Sequence, residues 1–296
     1  VISGTSCATI NFIVKNWLGL LIVSILPMAV IFALCILAYL VFRGVFEFLT
    51  TVDFNNHQAA VEVMRKYFTL MPQLFAIEIA ALFAMAWLLV RIVRFRENGD
   101  SNIWVGSKGE FSAALYTILY GLGIGMLTML AYMAVIIGAM IIGLIIFGLG
   151  QLSFVFYFLL VPLVIGVYFS LFWFSCRFYV GMPAVALGET PDFFTELWNL
   201  SRGESFAVPI RLLVSMIVIC IPFYIVCFAF IFPNIDILQN AIKNLPDHQL
   251  SPEILNQIWH MILPLEVFLA IFNAAAYVYF SVFSAEVYSR FRAKRV

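Results

Sequence analysis

The chain reads as an all-α, polytopic transmembrane helical bundle of six spans with both termini cytoplasmic, and three observations predict it. Residues 111–176, between Glu110 and Arg177, contain no charged side chain. Roughly 20 apolar residues in helical form already cross the ~30 Å hydrocarbon core of a bilayer. Second, 64% of the residues are hydrophobic and 11% charged, with a mean hydropathy of +1.06, where a soluble domain carries about 25% charged residues. Third, the basic residues sort to alternate loops. One side carries Lys15, Arg91, Arg94, Arg96, Lys108, Arg177, Arg202, Arg211, Arg290, Arg292, Lys294 and Arg295, twelve of the 16 in the chain. Only Arg43, Arg65, Lys66 and Lys243 fall on the other, so the positive-inside bias places the first side in the cytoplasm.

The whole of 1–296 is read as one transmembrane domain. The first span, about 17–42, is too long for a signal-peptide core and lacks a cleavage site. The second, about 67–90, runs into Arg91, Arg94 and Arg96. The uncharged stretch holds the third and fourth, about 112–147 and 153–177, joined by a turn at Gly148 to Ser153, where Gln151 and Ser153 are the polar residues. A further crossing there would put the basic tail outside, against the charge bias. These two crossings must be long, tilted or kinked. The fifth and sixth spans fall at about 209–232 and 260–286, the last entered by a helix that Ser251-Pro252-Glu253 starts.

Between the fourth and fifth spans, Thr190-Pro191-Asp192 supplies an N-cap with proline at the first helical position. Phe193, Phe194, Leu197, Trp198 and Leu200 then recur at helical spacing, predicting an amphipathic interfacial helix over about 190–202. Arg202 is its one nearby cation, so it is a structural elbow rather than a trap for anionic lipid. The even spans share an entry pattern, Leu70-Met71-Pro72, Leu160-Val161-Pro162 and Ile262-Leu263-Pro264. The first and fifth carry Ile25-Leu26-Pro27 and Cys220-Ile221-Pro222. A helical hairpin used three times is the expectation; such repeats occur in transporters and scaffolds alike.

No catalytic constellation emerges. The sequence lacks HExxH, Walker, GxSxG and paired-carboxylate patterns, and no basic face suits nucleic acid. Cys7, Cys35, Cys176, Cys220 and Cys227 have neither CxxC nor metal spacing and read as small hydrophobes. His57, His248 and His260 share the outer side with Asp53, Glu62, Asp236, Asp247 and Glu253, without HxxxH spacing, so no metal ligand is assigned. No catalytic, cofactor-binding or metal residue is therefore expected, and no cofactor.

Two kinds of residue remain. Glu78, Glu266 and Asn273 fall within spans, where an ionisable group costs at least ~3 kcal/mol unless paired or neutralised. They read as polar contacts between helices, a lone glutamate at that depth being protonated or hydrogen-bonded to a neighbour such as Asn273 or Tyr277, as contacts to a partner subunit, or as a proton or cation relay. Gly121/Gly125, Ala134/Gly138 and Ala139/Gly143 are small-xxx-small pairs that let helices approach closely, inside the bundle or across a homodimer seam. Partners are then membrane lipids, other membrane subunits or the chain itself.

The stretch Cys176-Arg177-Phe178-Tyr179-Val180, then Met182-Pro183-Ala184-Val185, Gly188-Glu189, and Phe194 to Ser201-Arg202-Gly203 before a new span, resembles bacterial YciC-like membrane proteins. It also resembles the membrane domain attached to some glycerophosphodiester phosphodiesterases. The likeness covers the last half of the chain, and the first half by topology; the phosphodiesterase catalytic domain is absent. It implies a six-span protein of the bacterial inner membrane, with a role in envelope or lipid homeostasis. The reading reached is a non-enzymatic scaffold or accessory subunit. A small-solute or proton-coupled transporter using the intramembrane carboxylates is the alternative.

Overall fold

The computed structural model describes residues 3–51, 57–99, 109–150, 160–179, 181–189, 207–235 and 252–293. Nearly all the described residues are helical, and no strand occurs among them. In order they form α1 (Ser3–Lys15), α2 (Trp17–Thr51), α3 (His57–Asn98), α4 (Glu110–Gly150), α5 (Leu160–Tyr179), α6 (Met182–Ala186), α7 (Ala207–Ile231) with a 3-10 turn at Phe232–Asn234, and α8 (Pro252–Ala293).

Five of these are long and apolar enough to cross a membrane, over Trp17–Val41, Phe68–Asn98, Glu110–Gly148, Pro209–Phe230 and Val267–Ala293. In α5 the apolar run is shorter, Val161–Ser170. The helices overrun the expected spans because hydropathy marks only what lipid can cover. Backbone hydrogen bonding continues until a breaker intervenes, so α3 reaches back to His57 and α8 to Pro252. The expected turn at Gly148 to Ser153 is partly displaced, since α4 continues to Gly150; residues 151–159 lie outside the described residues. So do the amphipathic segment at 190–202 and most of loop 233–259. No break interrupts the helical pattern of α4 despite its glycines, which in a span are tolerated when the flanking turns hold the ladder.

One helix was not foreseen. Residues Ser3–Lys15 form α1, and the chain bends at Asn16 without losing its ladder. The Asn16 amide donates to the Phe12 carbonyl at 2.9 Å, Leu20 N donates to Asn16 O at 2.9 Å, and the Asn16 Nδ2 also reaches Phe12 O at 3.0 Å. Thr5 and Thr9 are fully buried, which places this helix in the bundle, against α8 and α7.

Neighbours in sequence are neighbours in space: α2 on α3, α3 on α4, α4 on α5 and α7 on α8, with α8 closing back onto α3, α2 and α1. The cores gather at one end. Leu20 and Val23 of α2 pack with Leu88 and Ile92 of α3 and Val282 of α8. Beside them Trp87, Val90 and Val93 meet Ala113 and Ala114 of α4, Ala186 of α6 and Ala285 of α8. Phe283, Val287 and Phe291 take Leu212 of α7. Starts of α2, α4 and α7 thus meet ends of α3 and α8, as alternating helices require. This is the end where arginines accumulate.

Away from it the helices present large apolar side chains outward: Met126 is 70% exposed, Leu144 69% and Phe228 67%. In water each would forfeit ~1.5–3 kcal/mol of burial; in hydrocarbon such a surface carries no penalty. The bundle is held by its basic end and clothed in apolar side chains elsewhere, the character of a membrane protein.

A close approach pins α2 to α3. A Cβ on Gly19 would overlap the Phe95 ring, with Cε2 2.9 Å away. That ring stands edge-on to Phe12 at 6.1 Å between centroids, so it has little room to retreat. Gly19→Ala is expected to destabilise the protein by ~1–3 kcal/mol through overpacking, read as an earlier thermal unfolding transition in detergent micelles. An unchanged transition would show that the ring swings aside freely.

Candidate functional site: a polar layer at the basic end

Three linked charge groups sit where the helix ends converge. Glu110 opens α4, after Gly109 at φ +104°, with its carboxylate at the positive end of the helix dipole. The Trp87 indole Nε1 donates to Glu110 Oε2 at 3.0 Å, and Arg91 Nε lies 3.9 Å from the same oxygen. Arg91 and Glu110 are 4% and 5% exposed. At that burial an ion pair persists only because each charge compensates the other. Aromatic rings shield it: Trp87 stacks on Phe111 at 5.4 Å, and the Arg91 guanidinium lies 5.9 Å from the Trp87 ring.

One turn on, Glu286 of α8 bridges two cations. Arg96 Nη2 is 2.5 Å from Oε2, and Arg290 Nε is 3.0 Å from Oε1 in an i, i+4 pair. Arg96 also lies 5.0 Å from the Phe12 ring centroid, joining α1, α3 and α8 in one contact. The third group belongs to α6 and the turn after it. Arg94 Nε donates to Ala186 O at 3.2 Å. Glu189 accepts from the Tyr288 hydroxyl and pairs with Arg292 Nη1 at 3.2 Å. Beside α1, the Ser6 and Ser215 hydroxyls are 3.0 Å apart, and Tyr279 OH donates to Ser215 Oγ at 3.2 Å.

Chemically this layer binds helices to one another. Glu110, Glu189 and Glu286 each face a cation, and among the described residues no three His, Cys, Asp or Glu converge as a metal site would need. A recess of about 510 Å³ runs along α4, lined by Gly125, Thr128, Met129, Tyr132, Met133 and Ile136. No carboxylate, imidazole, thiol or basic side chain is among these lining residues.

The residues singled out from sequence lie elsewhere. Glu78 of α3 and Asn273 of α8 are both exposed. Among the described residues, no hydrogen bond or ion pair joins Glu78 to Asn273 or to any other group. Glu266 is in α8, its side chain outside the described residues. Of the glycines, Gly121 meets the strap at α6, where a Cβ would lie 2.9 Å from Met182 Cε. Gly125, Gly138 and Gly143 have nothing within 4 Å of a built Cβ. His57 opens α3, and Asp53 and His248 fall outside the described residues.

What sequence reasoning missed is the polar layer itself. In the sequence Arg91, Arg94, Arg96 and Arg290 stand out as markers of orientation, although Glu286/Arg290 has the i, i+4 spacing of a helix pair. The position of Glu110 as the last charge before a long apolar run was a second available signal. No protein-family model matches the chain, and comparison with curated proteins and with solved structures finds no match.

Proposed function

We propose that the protein is a six-span, non-enzymatic membrane scaffold or accessory subunit of a membrane assembly, with both ends in the cytoplasm of a bacterial cell. The observation that carries this reading is the disposition of its polar groups. The buried charges Arg91, Glu110 and Glu286 are paired at one end of the bundle, and large apolar side chains dominate the exposed surface elsewhere among the described residues. A reaction centre or a transport pathway needs polar groups facing one cavity; here they face one another. Lipid gives helices no hydrophobic reason to associate, so packing stripes and rare polar residues specify partners. Gly125, Gly138 and Gly143, open on α4, are where another subunit would approach. A role in envelope or lipid homeostasis follows from the resemblance of the second half to YciC-like proteins.

The fourth of the six proposed spans corresponds to α5, whose described apolar run, Val161–Ser170, is shorter than those of the other five. The hairpin repeat has support in its outer copies, α2/α3 and α7/α8. Arg96 and Glu286 lie abreast on helices running the same way. Counted back from that pair, Pro72 and Pro264 fall within one turn of the same level. The middle hairpin carries glycines in place of the proline of α2 and α7.

The transporter reading retains one favourable observation, the lone Glu78 carboxylate exposed on α3. Reconstitution into liposomes decides between them. Under an imposed proton gradient the scaffold shows no uptake above empty vesicles. Gradient-driven uptake of a small solute, abolished by Glu78→Gln, would overturn the scaffold.

A further inference from the structure

The segment Gly181–Glu189 is wedged between α3, α4 and α8, and we propose that it is a latch that opens as one unit while the bundle around it stays folded. Its hydrogen bonds are largely its own: Leu187 N donates to Pro183 O at 3.0 Å, Gly188 N to Val185 O at 2.9 Å, and Glu189 N to Ala184 O at 2.9 Å. It can therefore leave its seat without unravelling a neighbour's ladder. Pro183, Ala184 and Ala186 are its buried residues, all small. Met182 reaches the notch that Gly121 leaves in α4. Glycines flank the unit, and Gly188 holds φ +87°, a conformation that other residues resist.

Two ties fasten it: Arg94 Nε of α3 donates to Ala186 O at 3.2 Å, and the side-chain tie is at Glu189. Glu189 accepts from Tyr288 and pairs with Arg292, both on the last turns of α8, so the end of that helix sets whether the segment is seated. The Glu189 side chain is 38% exposed and that of Arg292 58%. Water and ions reach this pair, unlike Arg91 and Glu110 inside. A partly exposed fastening over a small-residue plug is the arrangement of a device that releases locally, and sub-global opening of this kind precedes global unfolding. Released, the segment uncovers the seam between α3 and α4 at the basic end.

Amide hydrogen exchange on the full chain in micelles tests this, comparing the peptide spanning Val185–Glu189 with that spanning Leu88–Val93 of α3. In Glu189→Gln, which loses the ion pair and weakens the tyrosine contact, the latch amides exchange about tenfold faster and the α3 amides do not change. Latch amides that keep their rate, or that speed up together with α3, overturn the proposal. Arg292→Gln removes only the ion pair and is read by the same rule if the first variant does not fold. Its latch amides accelerate by about threefold.

Discussion

Replacing Glu110 with alanine is expected to destabilise the protein by ~3–5 kcal/mol, the loss typical when one partner of a buried ion pair is removed. The change strips the carboxylate from beside Arg91, which is 4% exposed, and removes the acceptor of the Trp87 indole N–H at 3.0 Å. On α3, Trp87 loses its acceptor and Arg91 its opposite charge, and the seam between α3 and α4 loosens. Denaturant unfolding of Glu110→Ala in micelles measures the loss. A double-mutant cycle with Arg91→Met measures the coupling: the double variant should be more stable than the sum of the two single losses allows. Strictly additive losses would mean that the pair contributes nothing beyond packing.

Gly121→Leu should cost ~1–3 kcal/mol by overpacking, while Gly138→Leu and Gly143→Leu leave stability within about 0.5 kcal/mol of the parent. The contrast follows from what each position faces. A Cβ at 121 would already press on Met182, whereas nothing lies within 4 Å at 138 or 143. A leucine at 121 extends further and pushes Met182 out of its notch, so thermal unfolding falls. If 138 or 143 is part of a seam with another subunit, leucine there weakens association without moving the unfolding of the separated chain. Cross-linking yield in native membranes separates the two effects. Equal destabilisation at all three positions would contradict the geometry described for α4.

The long elements were legible because each crossing is an apolar run bounded by charges, and Arg91, Glu110 and Arg290 stand near its ends. What escaped had no such signature. Residues Ser3–Lys15 mix Ser, Thr and Asn with apolar residues, and their helix is stabilised by packing against α8 rather than by hydropathy. Met182–Ala186 is a five-residue helix, too short for any periodicity, and only its setting among α3, α4 and α8 makes it helical. The polar layer pairs Arg96 with Glu286 and Arg94 with Ala186 across the length of the chain, contacts that no local pattern encodes. Among the glycines, spacing marked Gly121 and Gly138 alike, and only the neighbouring helix distinguishes them. Glu78 sits on a face that the described helices leave open, and its place inside an apolar run does not say which neighbour, if any, it meets.

The unbroken apolar reach of α4 has a consequence for the lipid around it. Glu110–Gly148 spans 39 residues, ~58 Å at 1.5 Å per residue, almost twice a ~30 Å hydrocarbon slab. Standing upright, it would lift several turns of isoleucine and leucine clear of the acyl chains; lying wholly within them, it must slant by ~60° from the membrane normal. Either way the surrounding leaflets thicken or splay to meet it, so the protein imposes a deformation on its patch of bilayer and settles where lipids yield to it at least strain.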